Sequence, residues 1–190
     1  DLDDGSRLEY DRLLVATGSS PTLPPIGGTD LDGVVTCWTL EDARAIAAKL
    51  KPGDRVVMVG AGFVAGVCMK SLVESGVQLS VIAGRAGQIL RSMRTPVGSR
   101  ILQRWLENNG VNVITKGRVQ RIDPGPRLVM DTQVLDADLI ILATGVRSNF
   151  SRSASQSVGE GTRACCAADP GGPQATARWR SSTPGAEPTD

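Results

Sequence analysis

At 190 residues and a formal charge of +1, the chain is long enough for one domain with a real core and carries no basic excess. That balance excludes steering to nucleic acid or an anionic membrane, so a small molecule is the expected partner. Histidine is absent, which removes any imidazole acid, base or metal ligand, and Cys37, Cys68, Cys165 and Cys166 form no C-x-x-C pair. No metal site is expected.

In chain order, Arg7 to Gly18 reads as an extended stretch ending in the apolar strand Leu13-Leu14-Val15-Ala16-Thr17-Gly18. Pro21, Pro24 and Pro25 with Gly27 and Gly28 predict an irregular linker over 19–28. Thr39 is a natural N-cap, with Glu41 and Asp42 in the first turn and Leu40, Ala43, Ile46, Ala47 and Leu50 as the expected buried stripe. Pro52-Gly53 ends that helix. A buried strand is predicted at Arg55 to Val59, then a glycine loop, then a helix to about Ser75 whose Val64, Cys68 and Leu72 repeat at i+4. Gly76 suits the left-handed position past a helix end, and Val77 to Ile82 is a second strand.

Pro96 to Asn109 predicts another helix with Ile101, Leu102, Trp105 and Leu106 on its apolar side and Gly110 as its stop. Val111 to Thr115 is a third strand, and 118–135, broken by Pro124-Gly125-Pro126, predicts a small antiparallel meander. Asp138 to Ala143 is the last strand, closing in Thr144-Gly145. Cys37 and Cys68 read as inert buried thiols, Trp105 as core filling and Trp38 as packing between linker and helix. After Phe150 the apolar pattern stops: 151–190 hold Val158 and Trp179 but no other large hydrophobe, too little apolar surface to order a chain. A shifted reading frame or a truncated gene is the expected origin of that tail.

The loop Gly60-Ala61-Gly62-Phe63-Val64-Ala65 lies between a strand and a helix, inside a strand, turn, helix and parallel strand unit. A backbone approaching a pyrophosphate needs no side chain in the way and amides aimed from a helix N-terminus, which Gly60 and Gly62 permit; Ala65 suits close packing of helix on strand. The fold expected is α/β, a Rossmann-like doubly wound parallel sheet with the meander attached. NAD binders place a carboxylate after the second strand. Here stand Ala83-Gly84-Arg85, with Arg91 and Arg94 beyond. A guanidinium suits the 2′-phosphate of NADP, so NADPH is favoured over NADH.

The strand ends Leu14-Val15-Ala16-Thr17-Gly18 and Ile141-Leu142-Ala143-Thr144-Gly145 bracket that loop, and with them the sequence resembles the pyridine nucleotide-disulfide oxidoreductase superfamily of two-dinucleotide flavoproteins. It looks most like the nitrite-reductase and ferredoxin-reductase branch. The match runs from Tyr10-Asp11 to Val146-Arg147-Ser148-Asn149. The resemblance implies an edge of an FAD domain and linker over 1–26, an NAD(P)H domain over 27–149 inserted into that incomplete FAD domain, and an aberrant or disordered tail over 150–190. It implies that Ala16, Thr17 and Gly18 lie against FAD, that Gly145 approaches NAD(P)H, and that Val119 lies beside the adenine. Hydride would pass from NAD(P)H to FAD and on to an unidentified acceptor, with no side chain of this sequence acting as nucleophile or base.

The departures from that pattern are Val67 where the family commonly has Glu, Ser148 in place of Pro, and no FAD glycine loop ahead of Tyr10 or Gly-Asp motif after Asn149. A catalytically inactive nucleotide-binding fragment is therefore the alternative, and a flavin-free dehydrogenase ranks last, since Tyr10 is the only tyrosine. The strand-length apolar runs fall short of the roughly 20 residues that span a bilayer. Asp1-Leu2-Asp3-Asp4 is unlike a signal peptide, so a cytoplasmic location is the default. A homodimer stays open.

Overall fold

The computed structural model describes residues 4–7, 9, 16–84, 87–90 and 96–149. The expected strand at Leu13-Leu14-Val15, the arginines Arg85, Arg91 and Arg94, and the tail from 150 onward lie outside them. In chain order the elements are β1 Ser19–Pro21, β2 Val34–Thr36, α1 Leu40–Lys49, β3 Arg55–Val59, α2 Phe63–Glu74, β4 Gln78–Ile82 and α3 Pro96–Asn108. They continue with β5 Asn112–Ile114, β6 Val119–Asp123, β7 Arg127–Met130, β8 Val134–Asp136, β9 Leu139–Leu142 and β10 Val146–Ser148.

A five-stranded parallel sheet of order β2-β9-β3-β4-β5 forms the centre. Parallel strands covered on both faces need continuous apolar runs, and Val56 to Val59 and Leu139 to Leu142 are buried throughout. Alternate side chains then sort into two cores. Val56, Met58, Leu79, Val81, Leu139 and Ile141 pack with Ile46, Ala65, Met69, Leu72 and Leu106 of the three helices. Val57, Val59, Ile82, Ile140 and Leu142 face the other way, against Ile122, Leu128 and Met130. The α/β class is as expected, with one difference in layering: α1, α2 and α3 share one face, and the antiparallel sheet β6-β7-β8 covers the other.

Three expected stripes are corrected. Thr39 does cap α1, accepting from the Asp42 N–H at 3.1 Å while the Asp42 carboxylate accepts from the Thr39 and Trp38 N–H groups at 2.9 Å each. Those bonds hold the Asp42 carboxyl below the usual range. Of the α1 stripe, however, only Ile46 is buried and Leu40 is 60% exposed, while Leu50 is partly buried against the same core. On α2 the buried line is Ala65, Met69 and Leu72, one position round from the expected Val64 and Cys68, which are half-buried. On α3 Leu106 is buried, but Ile101 is 64% and Trp105 41% exposed, so Trp105 does not fill the core.

The expected linker over 19–28 is also corrected. Ser19–Pro21 forms β1, pairing antiparallel with β10 in a two-stranded ribbon. Proline removes a donor, and a ribbon with free edges tolerates that loss. The Trp38 Nε1–H donates to the Ser19 carbonyl at 3.0 Å, tying α1 to this ribbon. Strands β2 and β10 were not expected at all; at three residues each they carry too little pattern to be read.

Candidate dinucleotide site

The carboxyl ends of β9, β3 and β4 converge at the glycine loop. In an open parallel sheet that edge is where ligands bind. Gly60 ends β3 at φ +106°, and a methyl group there would overlap the Ala143 carbonyl at the end of β9. Its N–H donates to the Ile82 carbonyl of β4 at 3.0 Å. Gly60 is thus required by close approach of backbones within the sheet. Gly62 is different: it is the N-cap of α2 with φ −81°, and nothing lies within 4 Å of a Cβ built on it. Its open face borders solvent.

Gly62 offers no side-chain cap to α2, and the first turn carries no acid. The first helical bond of α2 is Gly66 N–H to the Gly62 carbonyl at 2.9 Å, so the amides of Phe63, Val64 and Ala65 precede the ladder and are the orphan donors of a helix N-terminus. Together with the helix dipole they favour an anion. Ala65 is fully buried and lets α2 sit close on the sheet. Phe63 and Val67 are 74% and 65% exposed on one face of α2.

A residue that sequence reasoning missed holds this loop. Leu90, at φ +49°, donates its N–H to the Ala61 carbonyl at 2.7 Å and packs over Gly66. The bond gives the Ala61 carbonyl a partner within the loop, and no local motif around Leu90 signals it. At the end of β4, Ala83 is buried and Gly84 exposed. The described part of this turn therefore carries no carboxylate.

The remaining predicted residues fall in two places. Ala16, Thr17 and Gly18 are exposed just before β1; the Asn149 N–H donates to the Gly18 carbonyl at 3.0 Å, and its Nδ2 donates to the Thr17 carbonyl at 2.9 Å. Gly145, at φ +117°, accepts from the Thr22 N–H at 2.8 Å. The two Ala-Thr-Gly segments are thus brought side by side by the ribbon. Val119 starts β6 beside a register shift, half-buried against the second core.

A cavity of about 600 Å³ opens at the opposite, amino edge of the sheet, between Arg55, Gln78, Asn109, Asn112 and Asp136. Concavity alone would choose that edge; the uncapped amides and the open Gly62 mark the carboxyl edge as the one suited to an anion. Among the described residues no group of three or more Cys, Asp or Glu could hold a metal ion, and no helix is long and apolar enough to cross a membrane.

A parallel sheet with a glycine turn opening a helix at its carboxyl edge is the α/β arrangement on which dinucleotide-binding folds are built. Residues 1–164 match the family model described as pyridine nucleotide-disulphide oxidoreductase, and the chain belongs to that family. It is 35% identical over 154 residues to an NADH oxidase of Methanocaldococcus jannaschii, covering 77% of this chain and 34% of that protein. It superposes with a TM-score of 0.65 and 34% identity on an FAD-dependent pyridine nucleotide-disulphide oxidoreductase from Desulfovibrio vulgaris, covering 80% of this chain and 41% of the other. An engineered water-forming NADPH oxidase bound to NADPH is similar at TM-score 0.69 and 25% identity, over 78% of this chain and 34% of that one. The chain spans about a third of the length of the first curated relatives it matches.

Proposed function

We propose that this chain is the NAD(P)H-binding part of an FAD-dependent oxidoreductase that passes hydride from NAD(P)H to FAD and on to a separate acceptor. The observation that carries it is the pairing of an open Gly62 with an uncapped, acid-free α2 N-terminus. A pyrophosphate fits that cradle, held by the amides of Phe63, Val64 and Ala65. Gly60 keeps β3 against β9, Leu90 restrains the Ala61 carbonyl, and Ala65 seats the helix. Ala16, Thr17 and Gly18, clasped by Asn149, are the flavin-facing segment in this reading, with Gly145 and Val119 on the nicotinamide nucleotide. When bound, the two cofactors supply the hydride-transfer chemistry.

NADPH is the favoured donor. Ala83 and Gly84 leave no carboxylate to repel a 2′-phosphate, and Arg85 follows them in sequence. The engineered NADPH oxidase carries, among its substitutions, an aspartate-to-alanine and an alanine-to-arginine exchange.

The test is calorimetric titration of NADPH and NADH into the chain and its Gly62→Ala variant. An added methyl meets no protein atom, so the variant keeps wild-type melting and loses at least tenfold in affinity, about 1.4 kcal/mol. Wild-type binding that fails at millimolar nucleotide sinks the proposal, and equal binding by both proteins removes the loop from it. Flavin retained on purification supports the FAD reading.

A further inference from the structure

Cys37 and Cys68, 31 residues apart in sequence, place their sulfurs 3.5 Å apart, and both are free, half-buried thiols. Cys37 directly follows β2, and Cys68 lies in the second turn of α2, the helix opened by the glycine loop. Both side chains pack against the helix-side core. Neither thiol has a part in the proposed nucleotide chemistry. We propose that Cys37 and Cys68 are an oxidisable dithiol whose reversible disulfide clamps the connection after β2 to the nucleotide-loop helix. It goes beyond the nucleotide reading and does not depend on it.

Sulfurs already in contact need to close by only about 1.5 Å to reach disulfide length. Burial first, and then the neighbouring Cys68, push the Cys37 thiol up to about 12. In the proposed sequence Cys68 attacks the oxidant and Cys37 resolves it. The oxidant class is a hydroperoxide, small enough to reach half-buried thiols. The Cys68 sulfur takes one oxygen of hydrogen peroxide as the O–O bond breaks, giving a sulfenic acid and water. The Cys37 sulfur then attacks the Cys68 sulfur, the S–S bond forms, the S–O bond breaks, and the departing hydroxide leaves as water with the Cys37 proton. Two thiols are oxidised and one peroxide is reduced to two waters.

The clamp would have structural reach. Cys37 precedes Trp38, whose indole is bonded to β1, so oxidation couples the β1–β10 ribbon to α2 through one covalent link.

The experiment treats the whole chain, carrying Cys165→Ser and Cys166→Ser to remove the other two cysteines, with hydrogen peroxide. Peptide mapping is expected to show a Cys37–Cys68 cross-linked peptide that dithiothreitol reverses. Closing a loop of this length is expected to raise Tm by several degrees, and Cys68→Ser abolishes that rise. In the Cys37→Ser variant the Cys68 sulfenic acid loses its resolving partner and is trapped by dimedone. Absence of the cross-linked peptide, irreversible over-oxidation of Cys68 in place of it, or a Cys37→Ser variant with no dimedone adduct would overturn the proposal.

Discussion

Gly60 and Gly62 stand two positions apart in one motif, yet the structure asks different things of them. Gly60 is needed by the protein itself: its φ of +106° and its contact with the Ala143 carbonyl leave no room for a side chain. Gly60→Ala is therefore expected to cost about 2–4 kcal/mol, combining backbone strain with overlap, and urea denaturation measures it. Gly62→Ala should lie within about 0.5 kcal/mol of wild type in the same assay, because its Cβ enters open space. A motif letter thus conceals one glycine that the backbone packing requires and one that faces open space. The sequence pattern located both, and only the backbone positions separated their roles.

Among elements, the junction of β3 and β9 illustrates how an exposed charge pair sets register. Arg55 donates its backbone N–H and its Nε to Asp138 Oδ2 at 2.8 and 3.2 Å, and its Nη2 to Oδ1 at 2.9 Å. The Asp138 N–H returns a bond to the Arg55 carbonyl at 2.8 Å. The Arg55 side-chain bond, followed by the backbone bond, holds the Asp138 carboxyl down to about 2 from its ordinary 3.8. Because the folded value is depressed, this contribution is present in full above 3.8 and is lost as pH falls through about 2. Asp138→Asn is expected to lower the urea midpoint slightly at neutral pH, with the difference from wild type closing as pH falls through that window. The effect is small, since both side chains are nearly half exposed and solvent screens the pair. A variant that tracks wild type across the window would contradict this account.

Ile140 shows what holds the whole molecule together. It is fully buried at the centre of the parallel sheet, beside Val34 and Val57, and faces the antiparallel layer through the second core. Ile140→Ala should destabilise by about 2–5 kcal/mol. Ile101→Ala should change stability by no more than about 0.5 kcal/mol, although the sequence pattern places it on the apolar side of α3; Ile101 is 64% exposed. A chemical-denaturation comparison decides it, and equal losses at the two positions would place α3 deeper than the structure has it. The exposed line of Val97, Ile101 and Trp105 on α3 is apolar surface that the described residues leave uncovered.

Local chemistry by itself determined the order of most elements: the buried runs at β3, β4 and β9, the Thr39 cap, the left-handed Gly76 and Gly110, and the glycine turn between β3 and α2. Each of these rests on neighbours within about one turn or strand, so periodicity and capping reveal it. Tertiary structure alone decided which face of each helix is covered, because an amphipathic stripe states that a partner exists and not how wide it is. It also decided that β1 and β10 form a ribbon, that Leu90 restrains the loop, and that Cys37 meets Cys68. Those are pairings between residues far apart in sequence, 129 positions in the case of Ser20 and Asn149, and no local pattern records them. The same limit applies at the nucleotide edge: the glycines announced a turn, and the folded sheet showed which of them faces open space.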